Sequence, residues 1–170
     1  MEQASSSTRS WHETALSSKG SLVVLLGEPG EGKTVSFTTL AQRMLEDYQN
    51  DPEAPLPLKV RLAFYEEDRM TLTELIADQL RLGKLEIGAD DMSGVLSQRP
   101  FYVLLDGLNE VPNHLPLVRE LNALMSKAPK NQYFLSCRTA DYGPIQEQLP
   151  AHQAWQLQRF SPDEIKDFLE

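Results

Sequence analysis

The chain has 170 residues, with 16 Lys+Arg against 25 Asp+Glu, so its formal net charge is −9, and apolar residues make up 41%. That length suits one domain with a real core, and the negative surplus disfavours direct attachment to nucleic-acid phosphates or anionic membranes, which both depend on a positive field. One cysteine, Cys137, excludes an intrachain disulfide, and Cys137, His12, His114 and His152 have no zinc-ligand spacing; with no signal-like or membrane-length apolar stretch, the expectation is a soluble, cytoplasmic protein.

Residues 1–20 are Ser-rich and weakly patterned, with Trp11 and Leu16 as isolated anchors, and read as a flexible arm preceding a domain over 21–170. Leu22-Val-Val-Leu-Leu26 is a continuous apolar run, the pattern of a strand buried on both faces of a parallel sheet. Gly27 to Gly32 reads as a loop. From Lys33 the apolar residues Phe37, Leu40, Ala41, Met44, Leu45 and Tyr48 recur at helical spacing until Asn50-Asp51-Pro52. Pro55 to Pro57 is expected to be a linker and Leu58 to Tyr65 a second strand, with Lys59 and Arg61 alternating against Val60 and Leu62. Thr71 and Glu74 form a capping box for a helix carrying Leu72, Leu75, Ile76 and Leu80, which Gly83 can stop. Lys84 to Gln98 suggests a loop and a short helix, Phe101 to Leu105 a third strand, and Leu117 to Met125 a further helix. Tyr133 to Cys137 supplies a fourth strand, and Trp155 to Phe160 a fifth whose Gln-rich alternation places it nearer an edge. Ser161-Pro162-Asp163-Glu164 starts another helix, and a chain ending six residues later is expected to be part of a longer protein. Strands alternating with helices imply an α/β fold: a parallel sheet of about five strands between two layers of helices.

Gly27-Glu28-Pro29-Gly30-Glu31-Gly32-Lys33-Thr34 fits the phosphate-binding loop GxxxxGK[ST]. It follows a buried strand and opens a helix, so backbone N–H groups and the positive helix end can enclose a phosphate. In that reading Lys33 neutralises β- and γ-phosphate oxygens and Thr34 ligates Mg²⁺, with Val35 completing the contacting segment. The alternative is a glycine turn that merely caps a helix. Mg²⁺ then needs a carboxylate at the end of a neighbouring strand, which Asp106 provides after Phe101-Tyr-Val-Leu-Leu. Glu110 lies on the loop leaving that strand, where it can orient or deprotonate a water, or simply be a solvated loop residue. Arg138 follows the fourth strand and can sense a γ-phosphate, or else pair with a surface carboxylate. Cys137 reads as core rather than nucleophile.

GEPGEGKT, FYVLLDGLNEVP, YFLSCRTADY and QLQRFSPDEIKDFL together resemble the NACHT family of signal-transducing, STAND-type P-loop NTPases, over roughly Leu22 to Leu169. The string Asp106-Gly107-Leu108-Asn109-Glu110 is its most specific part, and LKVRLAFYEED is similar to the family's second strand. The resemblance implies an ATP/ADP and Mg²⁺ site in which Lys33 and Thr34 bind phosphate and metal, Asp106 is the metal carboxylate, Glu110 the catalytic carboxylate and Arg138 the phosphate sensor. It also implies self-association of the full-length protein and helical and winged-helix regions beyond Glu170. Asn109 departs from the acidic pair carried by many members; an amide cannot accept a proton, so hydrolysis would rest on Glu110. Two readings stay open: a slow ATPase switch, and a nucleotide-binding oligomerisation module with negligible turnover. A small-molecule kinase on this fold is less favoured, because only scattered Arg61, Arg69 and Arg81 are available for a lid. A translation-type GTPase is less favoured still, because neither a DxxG after the metal strand nor an NKxD guanine reader is present.

Overall fold

A computed structural model describes residues 22–82 and 88–157. The expected N-terminal arm, the Gly83 helix stop and the Ser161 helix start lie outside the described residues. Strands β1 (Leu22–Leu26), β2 (Leu56–Arg61), β3 (Phe101–Asp106), β4 (Gln132–Cys137) and β5 (His152–Gln156) form one sheet in the order β2-β3-β4-β1-β5, and every pairing is parallel. Helices α1 (Lys33–Asn50), α2 (Leu72–Leu82), α3 (Ala89–Gln98), α4 (His114–Lys127) and the short α5 (Thr139–Tyr142) connect them.

Side-chain alternation divides the core between two faces. Val23, Leu25, Leu104 and Phe134 pack against Phe37, Leu40 and Met44 of α1. Leu22, Val24, Val103, Leu105, Tyr133 and Leu135 belong to the larger cluster with α2, α3 and α4 on the other side. The apolar runs of β1, β3 and β4 thus reflect strands covered on both faces, and the three-layer α/β architecture follows. Asn131, itself buried, fastens two of the parts: its Oδ1 accepts from Phe101 N–H at 3.0 Å and its Nδ2 donates to Leu96 O at 3.0 Å. At α2 the expected capping box is present, with Glu74 Oε2 accepting from Thr71 N–H at 2.6 Å and Thr71 Oγ1 from Glu74 N–H at 3.2 Å.

Two strands differ from the sequence expectation. β2 begins at Leu56 and ends at Arg61, so Leu56 and Pro57 are strand rather than linker, and Leu62–Phe64 closes into a 3₁₀ turn. Its partner sets both limits: Leu56 pairs with Phe101 and Arg61 with Asp106, the first and last residues of β3. Pro57 is tolerated because β2 lies at the sheet edge. β5 starts at His152 rather than Trp155, since its ladder is laid down by Leu22 to Leu26, with His152 opposite Leu22 and Gln156 opposite Leu26. It is an edge strand, and its residues are exposed or half-buried. No helix among the described residues is long and apolar enough to cross a membrane.

Candidate functional site

Parallel register brings the carboxyl ends of β1, β4 and β3 together: Leu26 is opposite Cys137, and Leu105 is opposite Leu135. The loops that follow therefore emerge side by side at the sheet edge where ligands bind in open α/β folds. β4 stands between β1 and β3, leaving room between the glycine loop and Asp106.

The loop after β1 turns through Gly30 at φ +82° and Gly32 at φ +84°, conformations that favour glycine. A Cβ at either position would meet nothing within 4 Å, so the loop faces open space there. Gly32 precedes α1 without any side-chain cap, which leaves the helix's first N–H groups to other acceptors. Behind the loop, Lys33 Nζ donates to Gly27 O at 2.6 Å and Glu28 O at 2.9 Å, and Glu31 Oε2 accepts from Glu28 N–H at 2.5 Å. A methyl group on Gly27 would lie 3.1 Å from that same Glu31 oxygen. Gly27, Glu28 and Glu31 shape the loop from behind.

Asp106 ends β3 and is 6% exposed. Ser136 Oγ donates to its Oδ1 at 2.7 Å, and Thr34 Oγ1 approaches the same oxygen at 3.4 Å. Lys59 Nζ lies 3.7 Å from Oδ2. Gly107 then turns at φ +90°, its N–H donating to Ser136 Oγ at 2.7 Å, and Leu108–Glu110 forms a 3₁₀ turn. The Glu110 carboxyl group rests over Gly107, where an added Cβ would come within 3.0 Å of its Cδ.

These parts border an open cavity of about 410 Å³. Of the residues singled out from sequence, Pro29, Gly30, Gly32, Lys33, Thr34 and Val35 line it on one side. Asp106, Glu110 and Arg138 line it on the others, joined by Asn109 and Ser136. Glu110 and Arg138 are exposed at its rim. Cys137 is buried, and burial, reinforced by Asp141, pushes its thiol up to about 12, the opposite of an activated nucleophile.

Sequence reading passed over Ser136 and Lys59. Ser136 was visible as the one aliphatic hydroxyl in the apolar run Tyr133 to Cys137, and its buried donor needs a partner. Lys59 was visible as a cation between the buried residues Leu58 and Val60, but its proximity to Asp106 depends on strand pairing.

The family described as "NACHT domain" matches residues 21–170. Among solved structures, the Orc1 protein of Aeropyrum pernix in complex with DNA is similar at a TM-score of 0.63 and 14% identity, over 94% of this chain and 46% of that one. Drosophila ORC bound to DNA is similar at a TM-score of 0.57 and 20% identity, over 86% of this chain and 38% of that one. Drosophila ORC bound to GC-rich DNA and Cdc6 is similar at a TM-score of 0.57 and 16% identity, over 95% of this chain and 31% of that one. The chain thus spans less than half the length of these structures, and at such identities the likeness is one of fold. No curated protein matches the chain.

Proposed function

This chain belongs to the NACHT family and carries its P-loop NTPase nucleotide-binding domain; from that premise we propose that it is an Mg²⁺-dependent ATP switch with slow hydrolysis, its ATP and ADP states controlling self-association of the full-length protein. The observation that carries the proposal is the convergence of Lys33, Thr34, Asp106, Glu110 and Arg138 on one cavity, from the start of α1 and from the ends of β3 and β4 with the turns that follow them.

The residues fit a magnesium nucleotide. Mg²⁺ favours oxygen ligands, typically one or two from protein with the rest from phosphate and water. Thr34 Oγ1 from the first turn of α1 and the Asp106 carboxylate from the end of β3 supply that set, already 3.4 Å apart. The uncapped start of α1 and the glycine loop supply N–H donors for phosphate oxygens. When bound, Mg²⁺ would contribute charge neutralisation across the phosphate oxygens.

The side chains then divide the work. Lys33 exchanges the Gly27 and Glu28 carbonyls for phosphate oxygens, a charge-assisted contact stronger than a neutral one. Glu110 orients a water and accepts its proton as the water oxygen bonds to the γ-phosphorus and the bond to the β-phosphate oxygen breaks. Arg138 holds charge developing on the γ-phosphoryl group. Asn109 shares the cavity wall but has no basic oxygen for proton transfer, which supports slow turnover.

Thermal unfolding with Mg²⁺ and each of ATP, ADP, GTP and GDP tests this reading, because a ligand that binds the folded state alone raises the midpoint. A rise with adenine nucleotides, followed by phosphate release from ATP, is expected. No rise with any nucleotide overturns it. Binding without measurable phosphate release would favour the second reading, a nucleotide-dependent oligomerisation module, to which Asn109 lends support.

The solved ORC structures contain DNA, but we read this chain as a nucleotide binder that does not itself take up nucleic acid or membrane. Its net charge of −9 opposes a phosphate backbone. A cytoplasmic setting is in keeping with its single buried thiol.

A further inference from the structure

Asp106 carries two unlike environments on its two oxygens. Oδ1 takes the Ser136 hydroxyl at 2.7 Å and the Thr34 hydroxyl at 3.4 Å, whereas Oδ2 faces the Lys59 ammonium at 3.7 Å. The phosphate-loop lysine is elsewhere, with Lys33 Nζ held by the Gly27 and Glu28 carbonyls. Lys59 comes from the edge strand β2. Its register partner is Leu104, which packs on the α1 face of the sheet, and Asp106 lies two residues further along that face. The ammonium is tethered there, donating to Thr38 Oγ1 at 2.7 Å, while Thr38 Oγ1 donates to Thr34 O at 2.8 Å. Lys59 is not among the residues lining the cavity; it reaches the carboxylate from the β2 side.

We propose that Lys59 is a built-in counter-cation of Asp106, a positioning residue that raises the Mg²⁺ concentration the site requires for nucleotide binding. The proposal rests on Asp106 as the Mg²⁺ carboxylate. A carboxylate buried to this degree is costly to keep charged without a partner. Lys59 lowers that cost and orients Oδ2 whether or not a metal is bound. The same ammonium opposes any second cation at the carboxylate, and around a buried group that repulsion is weakly screened. The polar chain from Lys59 through Thr38 to the Thr34 carbonyl also links Asp106 to the first turns of α1, so the phosphate loop and the metal carboxylate share one support.

The test measures ATP affinity by calorimetry at free Mg²⁺ concentrations from micromolar to millimolar, for the parent chain and for Lys59→Met and Lys59→Arg. Lys59→Met removes the charge and keeps the aliphatic stem; its Mg²⁺ midpoint is expected to fall by at least about threefold, with affinity at saturating Mg²⁺ unchanged. Lys59→Arg retains the charge and is expected to stay near the parent. An unchanged or raised midpoint in Lys59→Met, or equal shifts in both variants, would overturn the proposal. If Lys59→Met does not fold, Thr38→Val removes the tether instead and is expected to lower the midpoint in the same direction, no change counting against the proposal. A parent chain whose ATP binding ignores Mg²⁺ defeats the magnesium-nucleotide reading and this inference together. Mg²⁺-dependent binding that Lys59 does not tune defeats the inference alone.

Discussion

Ser136 Oγ stands between two groups of the neighbouring strand end, donating to Asp106 Oδ1 and accepting from Gly107 N–H, each at 2.7 Å. One hydroxyl thus aims the carboxylate and pins the left-handed turn that carries the Asn109-Glu110 segment. Ser136→Ala leaves a buried N–H and a buried carboxylate oxygen short of a partner, which costs about 1–3 kcal/mol. Denaturant unfolding should show that loss, and nucleotide binding at limiting Mg²⁺ should weaken with it. Parent-like stability and Mg²⁺ response would mean that water replaces the hydroxyl in both bonds.

Lys33→Ala removes the ammonium that the loop holds ready beside its carbonyls. ATP affinity is expected to drop by about 10- to 100-fold, the scale of one charge-assisted contact. Lys33→Met keeps the stem and separates lost charge from lost packing. If Lys33→Ala bound ATP like the parent, the glycine loop would not be a phosphate site.

Glu110 sits at the cavity rim as an exposed carboxylate, so changing it should leave folding intact. Glu110→Gln is expected to retain ATP affinity and to slow phosphate release by about 10²- to 10⁴-fold, the usual contribution of a positioned base. Asn109→Asp, which adds a second carboxylate beside it, is expected to raise turnover. Phosphate release that ignores both changes would remove Glu110 from the chemistry.

Gly107→Ala forces an L side chain to φ +90° and sets a methyl 3.0 Å from Glu110 Cδ. The backbone strain alone is about 1–3 kcal/mol. The melting midpoint should fall, and turnover should fall further than stability predicts because the glutamate is displaced. A crystal structure of the variant with Glu110 unmoved would contradict the second part.

Alkaline pH should expose the buried thiol. Burial raises Cys137 to about 12 from an ordinary value of 9.0, so between those limits the unfolded chain loses the proton first. Its contribution to stability is complete below about pH 9 and is lost as pH rises towards 12. Tyr65 is shifted the same way, by burial and by its hydrogen bond to Glu120. Alkylation of Cys137 at neutral pH should therefore be slow in the folded chain and fast in denaturant. Rapid alkylation of the native protein would show that the β4 end opens readily.

Local pattern alone was enough to assign β1, α1 and most of β3 and β4. Leu22 to Leu26 and Phe101 to Leu105 are long apolar runs that only a two-sided sheet can bury, and Phe37, Leu40 and Met44 repeat at the helical period. The placement of the glycine loop between β1 and α1, and of Asp106 at the end of β3, was equally legible, because glycines interrupt the apolar run before the helical repeat starts and an acidic residue ends the run Phe101 to Leu105. The limits of β2 and β5 were not, because a strand on a sheet edge ends where its neighbour ends, as Arg61 does beside Asp106. Tertiary structure also decided that β4 separates β1 from β3, and that Ser136 and Lys59 meet opposite oxygens of Asp106. Those contacts join residues 30 and 47 positions apart in the chain (136 − 106 and 106 − 59), and no short-range periodicity encodes such a meeting. Parallel register creates it, through the packing of the whole sheet.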